Sequence, residues 1–153
     1  MLSVMKDKKI VQLGFVTNHV EQSAEKFRTM FGFRETPAVR DLGLPEVAKT
    51  QYMGQAAPQI ACKIMSFNFG NIQFELMEPN MEPSAWRGWL EVHGESLHHV
   101  AFFVDDVDAE IKNCEKKGLS LLQRGEFANA TGRYAYLDTH GATPYLIELL
   151  QRY

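Results

Sequence analysis

The chain has very little cysteine. Cys62 and Cys114 are its only two, and no CxxC pair occurs. That excludes a thiolate zinc staple and a disulfide framework, and both residues read as small buried apolar side chains. No apolar run approaches the roughly 20 residues that cross a bilayer. The segment from Met1 to Lys9 lacks the long apolar core of a secretory leader. The expectation is a cytoplasmic protein with no membrane partner. Excess positive charge is missing too. Lys and Arg number 16 against 19 Asp and Glu, and they are scattered. No basic stripe marks nucleic acid as a partner. What the chain does have is apolar residues at 45% of its 153 positions, enough to bury a core.

It also has a pattern that occurs twice. Gln12-Leu13-Gly14-Phe15-Val16-Thr17-Asn18-His19-Val20 and His99-Val100-Ala101-Phe102-Phe103-Val104-Asp105-Asp106-Val107 both start at a polar anchor, cross an apolar strand and reach a polar turn that opens a helix. Gln12 matches His99, His19 matches Asp106 and Val20 matches Val107, each 87 positions on. Phe74-Glu75-Leu76-Met77 matches Ile147-Glu148-Leu149-Leu150, 73 positions on. The chain reads as one domain over 8–153, built from modules 10–78 and 97–151 joined by 79–96.

Periodicity gives each module the same order. Ile10 to Val16 reads as a strand. Val20, Ala24, Phe27 and Phe31 recur at helical spacing, so Val20 to Phe31 reads as a helix stopped by Gly32. Phe33 to Val39 reads as a strand, and Asp41 to Pro58 as a loop with partial structure, broken by Gly43, Pro45, Gly54 and Pro58. Ile60 to Phe67 and Ile72 to Met77 form a hairpin. Ser84 caps a linking helix to His93, with Trp86 and Trp89 as core or cover. The second module repeats with strand His98 to Val104 and helix Val107 to Lys117. Strands Leu119 to Gln123, Arg133 to Asp138 and Pro144 to Leu150 follow. Both halves are β-α-β-β-β, an α+β class. The two offsets differ by 14 residues, which places an insertion in 41–58. An insertion of that size at a module's mouth suits a cover over a binding site.

Side chains alternate across a strand. His99 therefore shares a face with Ala101 and Phe103, Gln12 with Gly14 and Val16, Glu75 with Gln73 and Met77, and Glu148 with Leu146 and Leu150. Gln12, Glu75, His99 and Glu148 thus fall at equivalent places on strands that line one cup. An unpaired buried carboxylate costs several kcal/mol, so Glu148 amid Tyr145-Leu146-Ile147 and Leu149-Leu150 needs a proton, a partner or a metal. Taken singly, a glutamate can sit on an edge strand and a histidine can be a satisfied core residue. Their joint placement favours a shared metal. One nitrogen and up to three oxygens suit divalent Co, Mn, Ni, Zn or Mg, with room left for water or substrate. Parity turns His98 toward the helix face, and His19, His93 and His140 fall at turns. Met65, Met77, Phe103 and Leu146 are the expected apolar lining. Lys63 and Arg133 are candidates for the carboxylate or phosphate tail of a small-molecule substrate, against a plain role as solvated charge.

The repeat, the Glu-Leu strand endings and the four ligand-type positions resemble the vicinal oxygen chelate superfamily, the glyoxalase and bleomycin-resistance fold of paired βαβββ modules. The resemblance runs from Ile10 to Gln151. It implies a curved mixed-sheet cup, a homodimer, and metal-dependent isomerase, epimerase or lyase chemistry through an enolate or enediolate. Phe74-Glu75-Leu76-Met77-Glu78-Pro79, Trp86 to Gly94, and Leu97-His98-His99-Val100-Ala101-Phe102 resemble methylmalonyl-CoA epimerases. That implies an acyl-CoA or other thioester substrate and metal ligands at Gln12, Glu75, His99 and Glu148. Catalytic proton transfer would fall to Glu148 first and Glu75 second. Gln12 stands where those epimerases have histidine, and the stretch Ile60 to Met65 offers no second acid. The set Gln-Glu-His-Glu is similar to that of glyoxalase I, a lactoylglutathione lyase. Val16 and Pro79 stand where that family holds glutathione with arginine and asparagine. A metal-free ligand-binding protein of the bleomycin-resistance type is the reading from another class. Extradiol dioxygenases use two histidines on iron, and Gln12 leaves only one.

Overall fold

A computed structural model describes residues 8–42 and 45–153. The first half supplies β1 (Gln12–Val16), α1 (Val20–Phe31), β2 (Arg40–Asp41), α2 (Pro45–Ala48), β3 (Gln51–Tyr52), β4 (Gln55–Ala56), β5 (Cys62–Asn68) and β6 (Gln73–Pro79). The linker carries α3 (Ala85–His93). The second half supplies β7 (Ser96–Phe103), α4 (Val107–Lys116), β8 (Ser120–Glu126), β9 (Gly132–Asp138) and β10 (Leu146–Arg152). All the strands join one curled mixed sheet in the order β2-β5-β6-β1-β7-β10-β9-β8-β3-β4.

The order from β2 to β8 reads the same from either end. β1 lies parallel to β6, β7 lies parallel to β10, and the halves meet where β1 runs antiparallel to β7. The repeat extends beyond the strands. The backbone N–H of Val20, opening α1, donates to the Glu78 carboxylate at 2.9 Å. The N–H of Val107, opening α4, donates to Gln151 Oε1 at 2.9 Å. Glu78 and Gln151 are 73 positions apart, the offset that relates Glu75 to Glu148. Each half thus uses the end of its last strand to satisfy an orphan donor at the start of its helix.

Apolar periodicity decides the outer face. Val20 and Ala24 of α1 pack on Met65, Phe67 and Leu76, with Phe27, Phe33 and Phe74 around them. Val107, Ile111 and Cys114 of α4 pack on Ala135, Leu137 and Leu149. Gly32 ends α1 in the left-handed region at φ 74°, a conformation that favours glycine. Cys62 and Cys114 are both buried thiols.

Two local expectations fail. Phe33 to Val39 is not a strand, and its place in the ladder falls to Arg40–Asp41 alone. Phe33 is drawn onto the rings of Phe67 and Phe69, at 4.9 and 5.2 Å. Pro37 has no N–H to offer a partner. Met65 does not line the cup either. It faces α1, and Ile64 takes the inner position.

The insertion pairs with both halves of the sheet. It begins with β2 paired to β5 on the outer edge of the first half. It ends in the hairpin β3–β4, whose β3 pairs with β8 beyond the second half. The N–H of Met53 donates to Leu122 O at 2.9 Å and fastens the far end.

Candidate metal centre

The concave face encloses a cavity of about 320 Å³. Gln12, Glu75 and Glu148 line it, and the fully buried His99 lies against them, so that the four positions singled out by the repeat come one from each of the adjacent strands β6, β1, β7 and β10. Glu75, Gln12, His99 and Glu148 are all buried. His99 Nε2 is 2.9 Å from Gln12 Oε1, 3.0 Å from Glu148 Oε2 and 3.5 Å from Glu75 Oε2. Gln12 Oε1 lies 3.0 Å from the Oε2 atom of each glutamate. Candidate ligand atoms of Glu75, His99 and Glu148 all lie within 4.8 Å of one another.

These distances carry chemical information. Adjacent donors around a six-coordinate divalent ion with ~2.1 Å bonds stand about 3.0 Å apart. Three oxygens meeting with no hydrogen between them repel, so the Gln12 amide has two sensible orientations. With its oxygen inward it joins a cation's donor set, and its Nε2 donates to Gln73 Oε1 at 2.6 Å. With its NH2 inward it can donate one hydrogen to each carboxylate. The first orientation fits a metal and the second fits the carboxylates alone. A donor set of one imidazole, two carboxylates and one amide oxygen fits a borderline or hard divalent cation.

Neighbours hold the donors in place. Gly14 lies opposite His99 in the β1–β7 register and gives its ring space. The Trp86 indole N–H donates to Tyr136 Oη at 3.0 Å. Tyr136 faces Glu148 across the β9–β10 pairing.

Burial pushes the His99 pKa down, but the charges and hydrogen bonds of Glu148 and then Glu75 outweigh it and raise it to about 9. Burial raises the Glu148 carboxyl, with His99 opposing. Burial and the adjacent His99 hold His98 well below the usual histidine range, so it stays uncharged.

The other sequence expectations divide. His98 is fully buried and points away from the cup, to the Ala85 carbonyl at 3.1 Å. His19, His93 and His140 are exposed. Met77 and Phe103 line the cavity, joined by Ile64 and Leu150. Leu146 is core rather than lining, and packs in the cluster that contains Trp86. Trp86 is fully buried and forms part of the cavity wall. Lys63 and Arg133 are not at the cavity. Lys63 shares the helix-facing side with Met65, and Arg133 pairs with Asp108 at 3.2 Å. The charges on the cavity wall are instead Arg40, Asp41 and Arg152. Arg40 donates to Ser66 Oγ at 2.8 Å, and the Arg152 guanidinium sits 4.1 Å over the Phe103 ring. Arg152 was legible, since it continues the Leu146, Glu148, Leu150 alternation. Arg40 and Asp41 follow the misread strand and had no signal.

Residues 11–137 match the sequence profile described as the Glyoxalase/Bleomycin resistance protein/Dioxygenase superfamily. An uncharacterized Bacillus subtilis protein, YqjC, is 27% identical over 86 residues, which span 56% of this chain and 61% of that protein. Among solved structures, a hypothetical protein of Bacillus halodurans C-125 superposes with a TM-score of 0.66 at 19% identity, over 95% of this chain and 94% of the other. A Streptomyces coelicolor methylmalonyl-CoA epimerase in complex with 2-nitronate-propionyl-CoA gives 0.63 at 22% identity, over 94% and 96%. The methylmalonyl-CoA epimerase of Mycobacterium tuberculosis gives 0.64 at 18% identity, over 100% and 93%. At these identities the likeness to the solved structures speaks for the fold.

Proposed function

Because this chain belongs to the glyoxalase/bleomycin resistance protein/dioxygenase superfamily, we propose that it is a metal-dependent enzyme that moves a proton on the carbon beside a carbonyl, as an epimerase or isomerase of an acyl thioester. One observation carries the reading: four buried donors from four adjacent strands converge with separations of 2.9–3.5 Å, close to the donor spacing around a divalent cation. We read the chain as one domain of two modules, 10–78 and 97–151, with the centre at their seam.

Gln12, Glu75, His99 and Glu148 would hold the cation. When bound, it supplies a Lewis acid that stabilises negative charge on a carbonyl oxygen. Glu148 is the base that takes the carbon-bound proton. It doubles as a ligand that can dissociate, and Tyr136 faces it across the β9–β10 pairing. Glu75 is the second candidate. A second acid or water returns the proton. Ile64, Met77, Phe103 and Leu150 keep water from the reacting carbon. Arg40 and Arg152 suit an anionic substrate, the carboxylate or phosphates of an acyl-CoA among them.

The deciding experiment is metal analysis of protein purified without chelator, followed by turnover of racemic methylmalonyl-CoA in deuterated water. Expected are one divalent ion per chain and deuterium at the carbon beside the carbonyl. Bound metal with turnover only of a glutathione hemithioacetal would place the protein with glyoxalase I, whose ligand set the four positions resemble. Absence of metal, with no thermal stabilisation by Mn, Co, Ni or Zn, would overturn the reading and favour a metal-free binding protein.

A further inference from the structure

The fully buried pair His98 and His99 touch each other ring to ring. Their Nδ1 atoms are 2.9 Å apart. At the far end of His98, Nε2 lies 3.1 Å from the carbonyl oxygen of Ala85, the first residue of α3. These two contacts fix every proton in the chain. A carbonyl only accepts, so His98 Nε2 carries the hydrogen. An uncharged imidazole has one N–H, so His98 Nδ1 is left with a lone pair. The proton between the two Nδ1 atoms therefore belongs to His99. With Nδ1 protonated, a neutral His99 turns its remaining lone pair, on Nε2, into the cup.

The anchor is itself held. The backbone N–H of Ala85 donates to Gln123 Oε1 at 2.8 Å, and Gln123 Nε2 donates to Tyr134 Oη at 3.1 Å. The Tyr136 and Trp89 rings flank His98 edge-on, with centroids 5.0 and 5.9 Å away. The linking helix is thus wired to the floor of the cup through the first imidazole of the His-His pair.

We propose that His98 is a positioning residue that sets the tautomer and ring angle of His99 through the relay from Ala85 O to His98 to His99. It presents Nε2 of His99 as the metal-binding atom. The outer end of the relay rests on the metal reading above. The proton order along it does not.

Long-range ¹H–¹⁵N spectra of the ¹⁵N-labelled protein test that order directly, without metal. Expected is a His98 ring with hydrogen on Nε2 and a pyridine-type Nδ1. A His98 ring protonated at Nδ1 overturns the proposal. Co(II) titration tests the consequence. His98→Phe keeps the bulk and removes the relay, and it should weaken Co(II) binding about 10- to 100-fold, the usual effect of losing an outer-sphere partner. His98→Asn restores an acceptor toward His99 and should recover most of that affinity. Asn failing to exceed Phe overturns the relay, and so does a folded Phe variant with wild-type affinity. Should the Phe variant not fold, the Asn variant and the spectra still decide. The expected tautomer in a protein that takes up no metal would overturn the metal reading and leave the relay standing.

Discussion

His99 packs directly against the bare backbone of Gly14. A Cβ built on Gly14 would stand 2.0 Å from His99 Cε1 and 2.4 Å from each ring nitrogen. The close approach explains a glycine in the middle of an otherwise apolar strand. Gly14→Ala must push the imidazole out of the cup, because the ring is closed in by its neighbours. The expected result is a destabilisation of about 1–3 kcal/mol from overpacking together with loss of Co(II) binding. Thermal unfolding with and without Co(II) reads both. A folded Ala variant with normal metal uptake would contradict the assignment of His99.

Metal uptake should depend on pH through His99. In the metal-free protein its pKa is raised from 6.5 to about 9 by Glu148 and Glu75. A raised pKa in the folded state stabilises the protein while the proton is bound. That contribution is complete below pH 6.5 and is lost as pH rises through about 9. The incoming ion must displace the same proton, so apparent affinity should rise about tenfold per pH unit between 7 and 8.5. Calorimetric titration with Co(II) in buffers of different ionisation enthalpy should count close to one proton released. An affinity flat across this range would show that His99 carries no such proton.

Arg40 and Arg152 sit on opposite halves of the cavity wall, on the outer strand β2 and at the end of β10. If they hold an anionic group of the substrate, Arg40→Gln and Arg152→Gln should each raise KM about tenfold or more, since a hydrogen bond to a charged group contributes about 1.5–3 kcal/mol. kcat should stay near wild type, because neither arginine is placed at the reacting carbon. Steady-state kinetics on the substrate identified by the turnover assay separate the two constants. A change in kcat alone would move these residues out of substrate binding.

The matched helix caps give a prediction independent of the metal. Glu78→Ala and Gln151→Ala each remove the acceptor for the first N–H of a helix, which should cost about 1 kcal/mol. The two caps share no partner, so the double variant should lose close to the sum. Urea unfolding measures it. A loss well beyond the sum would mean that the two halves are coupled through these residues.

The elements that carry the site were legible because strong alternation and helical spacing agree with tertiary packing. Val20 to Phe31 and Ala85 to His93 fall within a residue of their expected bounds, and the repeat aligned Gln12, Glu75, His99 and Glu148 without coordinates. What escaped is set by partners distant in sequence. Nothing around Phe33 announces that its ring would join Phe67 and Phe69 rather than extend a ladder. Lys63 cannot reach a substrate tail in the cup, because parity on β5 puts Ile64 inside. The link from His98 to Ala85 depends on where α3 docks, and no local pattern reports that. Gln73 and Tyr136 could have been found, since each lies on the inner face beside a residue already singled out.

The seam of the sheet has a mechanical consequence. The four donors come from strands that are neighbours in one ladder, spaced about 4.8 Å apart. In a flat sheet the outermost two, Glu75 and Glu148, would be separated by about 14 Å. Their side chains meet only because the sheet is strongly curled. Curvature and donor geometry are thus one variable. A perturbation that relaxes the curl would scatter the donors while every strand pairing remained intact. An occupant of the centre would, in turn, brace the arch like a keystone.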